Sequence, residues 1–148
     1  MFGHQCAMNF QDALDRMPQK GAMLLIEEVL GADESTIFCR ARDHRGADYP
    51  LRVSGQLMTI SLVELGAQAA AAHASLFGVG GHHAGLILAL RDVDVKETNA
   101  NRFKSPLETS AERLHFNESG ARYRFSVRCG ATEILDGEAL LMMHAVEA

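Results

Sequence analysis

The sequence predicts an α+β domain, with one long helix lying against an antiparallel sheet. Three observations carry this. Residues 57–77 hold the only long helical stretch, rich in alanine and free of proline. The segments after it alternate polar and apolar residues, the period-2 signature of half-buried strands. The order is strand, strand, loop, long helix, then about four strands, which suits an antiparallel sheet with its helix to one side. A single domain over residues 1–148 is expected, since that length buries a sizeable core without disulfides or metal.

Taken in order, "FQDALDRM" (10–17) reads as a short helix or turn stopped by Pro18. "GAMLLIEEVLGAD" holds an apolar run between Gly21 and Gly31 whose period fits a strand or a helix end. "STIFCRARD" puts Ile37, Cys39 and Ala41 on one face and Phe38, Arg40 and Arg42 on the other, a half-buried strand. "HRGADYPLRVSG" is a loop punctuated by Pro50 and Gly55. The helix is small-sided all round, which predicts close packing on most faces, and the glycines of "GVGGHH" stop it. "AGLILALRDVDVK", "SAERLHFNE", "ARYRFSVRC" and "ILDGEALLMMHAV" read as strands, with turns at Asn117–Gly120 and at Asp136–Gly137. One helix cannot cover both sheet faces, so the second face or an edge is expected to meet a partner, as in a homodimer.

Composition excludes several classes. A formal charge of -5 argues against a nucleic-acid binder. Cys6, Cys39 and Cys129 are odd in number, far apart and without a CxxC pair, so neither a disulfide framework nor a metal site is expected. The first ten residues lack a basic region followed by an apolar run, so no secretory signal is read there. The low-charge run from Leu57 to Gly81 contains Glu64, Gln68 and His73. A charge at a bilayer centre costs about 2.5–3.5 kcal/mol, so this is a buried helix, with no membrane partner and a cytoplasmic location as the expectation. No GxSxG, P-loop or GxGxxG is present, which leaves serine catalysis and nucleotide binding unsupported, and no cofactor is expected.

Four motifs together suggest a family: "MPQKGAMLLIEEVL", "LVELGAQAAAAHA", "NRFKSPLETSAERLHF" and "ILDGEALLMMHA". In order and spacing they resemble the hotdog-fold dehydratases that act on 3-hydroxyacyl groups carried on acyl carrier protein, in particular the branch of aryl polyene clusters. The resemblance spans roughly residues 14–145. It implies a strongly curved antiparallel sheet wrapped around one long central helix. It implies dimers with acyl sites between subunits, where a histidine before one helix works with an acid on the partner's helix. The acid falls on Glu64, and Gln68 matches the glutamine that supports the helix or site. The histidine does not carry over. Its "GHFPG"-like place is taken by "GADYPLRVSGQL", with Pro50 or its neighbours in register, and the histidine that often follows the first motif's proline is here Gln19.

Dehydration of a 3-hydroxyacyl thioester needs a base for the C2 proton, an acid for the leaving hydroxyl, and donors for the thioester oxygen, which a helix N-terminus supplies. Glu64 is the expected acid–base residue, about two turns into a helix starting near residue 57. His44 is the general-acid candidate by chain order. Gln68, Tyr49 and Gly55 are the candidate substrate-binding residues. Against this, Ser61-x-x-Glu64 also matches a capping box, in which Glu64 would merely close a helix end. His73, nine residues after Glu64 and so on the opposite helix face, reads as a packing residue. His82 and His83 read as a solvated loop and His115 as structural. The expected partners are an acyl-carrier or acyl-CoA thioester and a second copy of the chain or a second hotdog subunit. A thioesterase and a non-catalytic partner subunit are the rival readings.

Overall fold

The structure, a computed structural model, describes residues 9–17, 19–78 and 82–145, with side chains at all of these except 82–88 and 143–145. Helix α1 spans Gln11–Asp15, and strands β1 and β2 span Ile26–Ala32 and Thr36–Ala41. The central helix α2 spans Val63–Leu76. Strands β3 to β6 span His82–Val95, Leu107–Phe116, Gly120–Cys129 and Thr132–Ala145. Among the described residues they form one antiparallel sheet in the order β1-β2-β4-β5-β6-β3. The strand that follows α2 thus pairs with β6 and forms one edge, and β1 forms the other.

Period-2 patterning decides which face meets α2. Ile37, Cys39 and Ala41 of β2, Leu107, Thr109 and Ala111 of β4, and Ala121, Tyr123, Phe125, Val127 and Cys129 of β5 are all buried. α2 touches all six strands, and its residues Leu65 to Ala70 are buried without a break. Alanine and glycine make this possible, because short side chains let a curved sheet close around a helix. The tightest point is Phe125. A Cβ on Gly66 of α2 would lie 2.2 Å from its Cδ1, and one on Gly137 of β6 would lie 3.1 Å from its Cζ. Phe125 therefore sits in a slot between two glycines.

The opposite face carries charge. Register sets Glu112, Arg124, Glu138 and Arg91 in one row across β4, β5, β6 and β3. Arg124 and Arg91 each approach Glu138 to 3.6 Å, and Arg124 and Lys96 approach Asp136 to 3.4 and 3.2 Å. Such pairs add little stability, but they suit a face turned to water. Among the described residues, no helix is long and apolar enough to cross a membrane.

Three boundaries differ from the sequence expectation. α2 starts at Val63 rather than near 57, preceded by a 3-10 turn over Thr59–Leu62. The backbone of 57–59 is spent elsewhere: Ala100 N donates to Leu57 O, Thr59 N donates to Thr98 O, and Met58 bridges Asn99. Asp136–Gly137 is not a hairpin, because β6 runs through it. The turn lies at Gly130–Ala131, where Gly130 has φ 59°, and Gly137 instead makes room for Phe125 and Val93. His82 and His83 begin strand β3, opposite Ala145 and His144, rather than a loop; their side chains lie outside the described residues. Asn117 does form a turn, its Oδ1 accepting from Ser119 N and Gly120 N.

Candidate functional site

The site grows from Gln68. Its Oε1 accepts from Leu25 N at 2.8 Å, and its Nε2 donates to Met23 O at 2.9 Å. A backbone N–H requires an oxygen and a backbone carbonyl requires an N–H, so the chain before β1 fixes which way this amide points. The second Nε2 proton then faces Glu64, one helical turn earlier, and donates to its Oε2 at 2.9 Å. Gln68 is 1% exposed, so this arrangement is part of the core.

Gln19 reaches the same oxygen from a different segment, its Nε2 donating to Glu64 Oε2 at 3.2 Å. The carboxylate decides this orientation as well, since the flipped amide would set oxygen against oxygen. Gln19 Oε1 is buried and has no hydrogen-bond partner among the described residues. Two neutral donors thus hold one oxygen of Glu64, and no hydrogen bond is made to the other among the described residues. Glu64 is half-buried. Met23, whose carbonyl binds Gln68, is 45% exposed, and Ile60, four residues before Glu64, is 48% exposed.

The capping box does not form. Ser61 Oγ donates to Met58 O at 2.7 Å, and no side chain caps α2. Glu64 therefore sits in the first turn of α2, not two turns in, with its carboxylate engaged across the fold. Val63 N–H donates to Ile60 O, so the 3-10 turn already uses the first amide of α2.

His44 and Tyr49 lie apart from this cluster in bonding terms. No hydrogen bond joins either to Glu64 or Gln68 among the described residues. His44 is 1% exposed; its Nε2 donates to Phe103 O at 2.7 Å, and its buried Nδ1 has no partner. The Tyr49 ring lies edge-on to it, 6.4 Å away, with a buried, unpartnered hydroxyl that burial pushes up to about 12. Arg52 straps the loop over both. Its guanidinium donates to His44 O at 2.7 Å, Gly46 O at 3.1 Å, Gly55 O at 3.3 Å and Asn101 Oδ1. Gly55 occupies the left-handed region at φ 77°, next to Ser54 at φ 52°. Sequence reasoning missed Arg52 and Asn101, whose link spans 49 residues, and took Gln19 only as a lost histidine.

The other titratable candidates are structural. His73 is 0% exposed, pairs its Nδ1 with Tyr123 Oη at 2.6 Å, donates from Nε2 to Asp33 O at 2.7 Å, and stacks on Phe77. Burial pushes Cys39 up to about 12, which excludes a thiolate nucleophile there. His115 is exposed on β4 beside Asn117. Among the described residues, no three potential ligands converge to hold a metal ion.

A six-stranded antiparallel sheet packed around one alanine-rich helix, with an oriented carboxylate in that helix's first turn, defines a hotdog-fold protein. More narrowly, the chain belongs to the ApeP-like dehydratase family, whose model matches residues 11–144. Among solved structures, the dehydratase heterocomplex ApeI:P from Xenorhabdus doucetiae matches with TM-score 0.72 and 20% identity, over 88% of this chain and 90% of that one. A thioesterase family protein from Silicibacter pomeroyi matches with TM-score 0.70 and 13% identity, over 93% and 96%. A hypothetical thioesterase with coenzyme A from Streptococcus pneumoniae matches with TM-score 0.62 and 9% identity, over 82% and 88%. No curated protein matches the sequence.

Proposed function

We propose that this dehydratase acts on a 3-hydroxyacyl thioester carried on acyl carrier protein, in fatty-acid or polyene-type synthesis, and that it works as a dimer. The observation that carries the reading is Glu64: a carboxylate at the start of a buried helix, one oxygen held by Gln19 and Gln68 and the other without a hydrogen bond among the described residues. Glu64 takes the proton from C2. The electron pair forms the C2–C3 double bond, the C3–O bond breaks, and an acid protonates the departing hydroxyl to water, leaving an enoyl thioester.

We place that acid outside the subunit that carries Glu64. His44 has Nε2 committed to Phe103 O and both ring nitrogens buried. We assign His44, Tyr49 and Gly55 to shaping the loop, Gln68 to holding Glu64, and the proton donor to a partner subunit facing Glu64. The exposed apolar side chains of Met23 and Ile60, and the place of β3 at one end of the sheet among the described residues, support such a partner. The ApeI:P heterocomplex supports a second hotdog subunit as that partner over a second copy of this chain.

The test is turnover of a 3-hydroxyacyl-carrier thioester by the full chain, alone and mixed with a second hotdog subunit. Glu64→Gln removes enoyl formation while the protein stays folded. Unchanged turnover sinks the assignment, and release of free thiol in place of enoyl product makes the chain a thioesterase.

A further inference from the structure

We infer that Gln19 is a positioning residue for the reaction and that the fold carries it at a cost in stability. The inference rests on Glu64 as the base. Gln19 spends its Nε2 on Glu64 Oε2, and its Oε1 stays buried without a partner. A buried acceptor left unpaired is destabilising, which offsets what the Nε2 hydrogen bond contributes, and Glu64 Oε2 keeps Gln68 as a donor when Gln19 is replaced by an apolar group. Stability alone would therefore favour a methionine or leucine at this position.

Gln68 offers a contrast. All its polar atoms are engaged: it ties Leu25 and Met23 to α2 and also meets Glu64. Core packing accounts for Gln68 with or without chemistry. It does not account for Gln19, whose one side-chain hydrogen bond goes to the carboxylate. The amide from Gln68 comes along the helix, and the amide from Gln19 comes from a segment 45 residues away. One donor leaves a carboxylate free to swing about that bond. Two donors from different directions fix its plane and so the aim of the free oxygen. Gln19 thus sets where the base points, and misplacement of a reacting group costs about a hundredfold for roughly 1 Å.

The experiment pairs kinetics with thermal unfolding on the full chain, together with the partner subunit if activity requires one. Gln19→Met keeps the bulk, removes the donor and removes the orphaned acceptor. We expect kcat to fall about tenfold to a hundredfold with KM within about twofold and the melting temperature to hold or rise. Gln19→Glu, of the same shape but presenting an oxygen to Glu64, is expected to lose at least as much turnover. An unchanged kcat in the methionine variant overturns the inference. So does a melting temperature that falls with kcat, since that is how a plain structural residue behaves. Glu64→Gln is run alongside: if it keeps turnover, the base assignment itself has failed. If it loses turnover while Gln19→Met does not, only the positioning role has failed.

Discussion

Gly66→Ala sets two principles against each other, and the structure says which wins. In an exposed helix interior, alanine is favoured over glycine by about 1 kcal/mol. Here the added Cβ would lie 2.2, 2.6 and 3.0 Å from Cδ1, Cγ and Cβ of Phe125. Carbon atoms pack best at about 3.5–4.0 Å, so the closest overlap exceeds an ångström. Phe125 is 1% exposed, and its Cζ end already rests against the backbone of Gly137, where even a Cβ would come within 3.1 Å. Rotating the ring does not relieve the 3.0 Å approach to the Phe125 Cβ, so α2 or β5 has to shift. Overpacking of this kind costs about 1–3 kcal/mol, occasionally more, which outweighs the propensity gain when strain lies in the upper half of that range. A net loss of about 1–2 kcal/mol lowers the melting temperature by about 2–8 °C at this chain length. The assay is thermal unfolding followed by circular dichroism, with Phe125→Leu and the double variant completing a cycle. The double variant recovers part of the loss, because the smaller side chain vacates the slot. A Gly66→Ala protein that melts at or above the parent temperature refutes the reasoning.

Two further predictions follow from buried side chains. Burial, and next the Arg113 charge, hold His73 down to about 4, against 6.5 unfolded, despite the opposing Asp33 carbonyl. The unfolded chain therefore binds a proton that the folded chain refuses. Stability is full above pH 6.5 and is lost as pH falls toward 4, by about 3 kcal/mol in all; urea unfolding at pH 7 and pH 4.5 reads it, and a His73→Gln variant with the same slope as the parent removes His73 as its source. Gln68→Leu leaves the Leu25 N–H buried and unpaired, which costs about 1–3 kcal/mol; its urea midpoint falls, and a midpoint at the parent value would show that water replaces the amide.

Local features of the chain were legible where one element decides its own pattern. The alternation in "STIFCRARD" and "ARYRFSVRC" marks the faces that α2 covers, and the four-residue spacing of Glu64 and Gln68 puts them on one side of a helix. Failures came where distant chain intervened. The helix start moved because residues 57–59 pair with 98–100, and no local propensity encodes that. Asp136–Gly137 has turn chemistry, but its glycine answers to an aromatic ring on the neighbouring strand. The capping box at Ser61 and Glu64 is well spaced, yet it lost to Gln19 and Gln68, one of which is 45 residues away.

Gln19 and Gln68 donate to the same oxygen but answer to different constraints, and this separates folding from chemistry in one site. Replacing Gln68 breaks two backbone anchors and a carboxylate contact together, so stability and turnover fall as one. Replacing Gln19 breaks only the carboxylate contact and relieves a buried oxygen, so the two part company. Plotting turnover against melting temperature for both variants gives opposite slopes if Glu64 is an aimed base. If Glu64 served only to brace α2 against the chain before β1, losing either amide would weaken the same brace, and both variants would fall on one line.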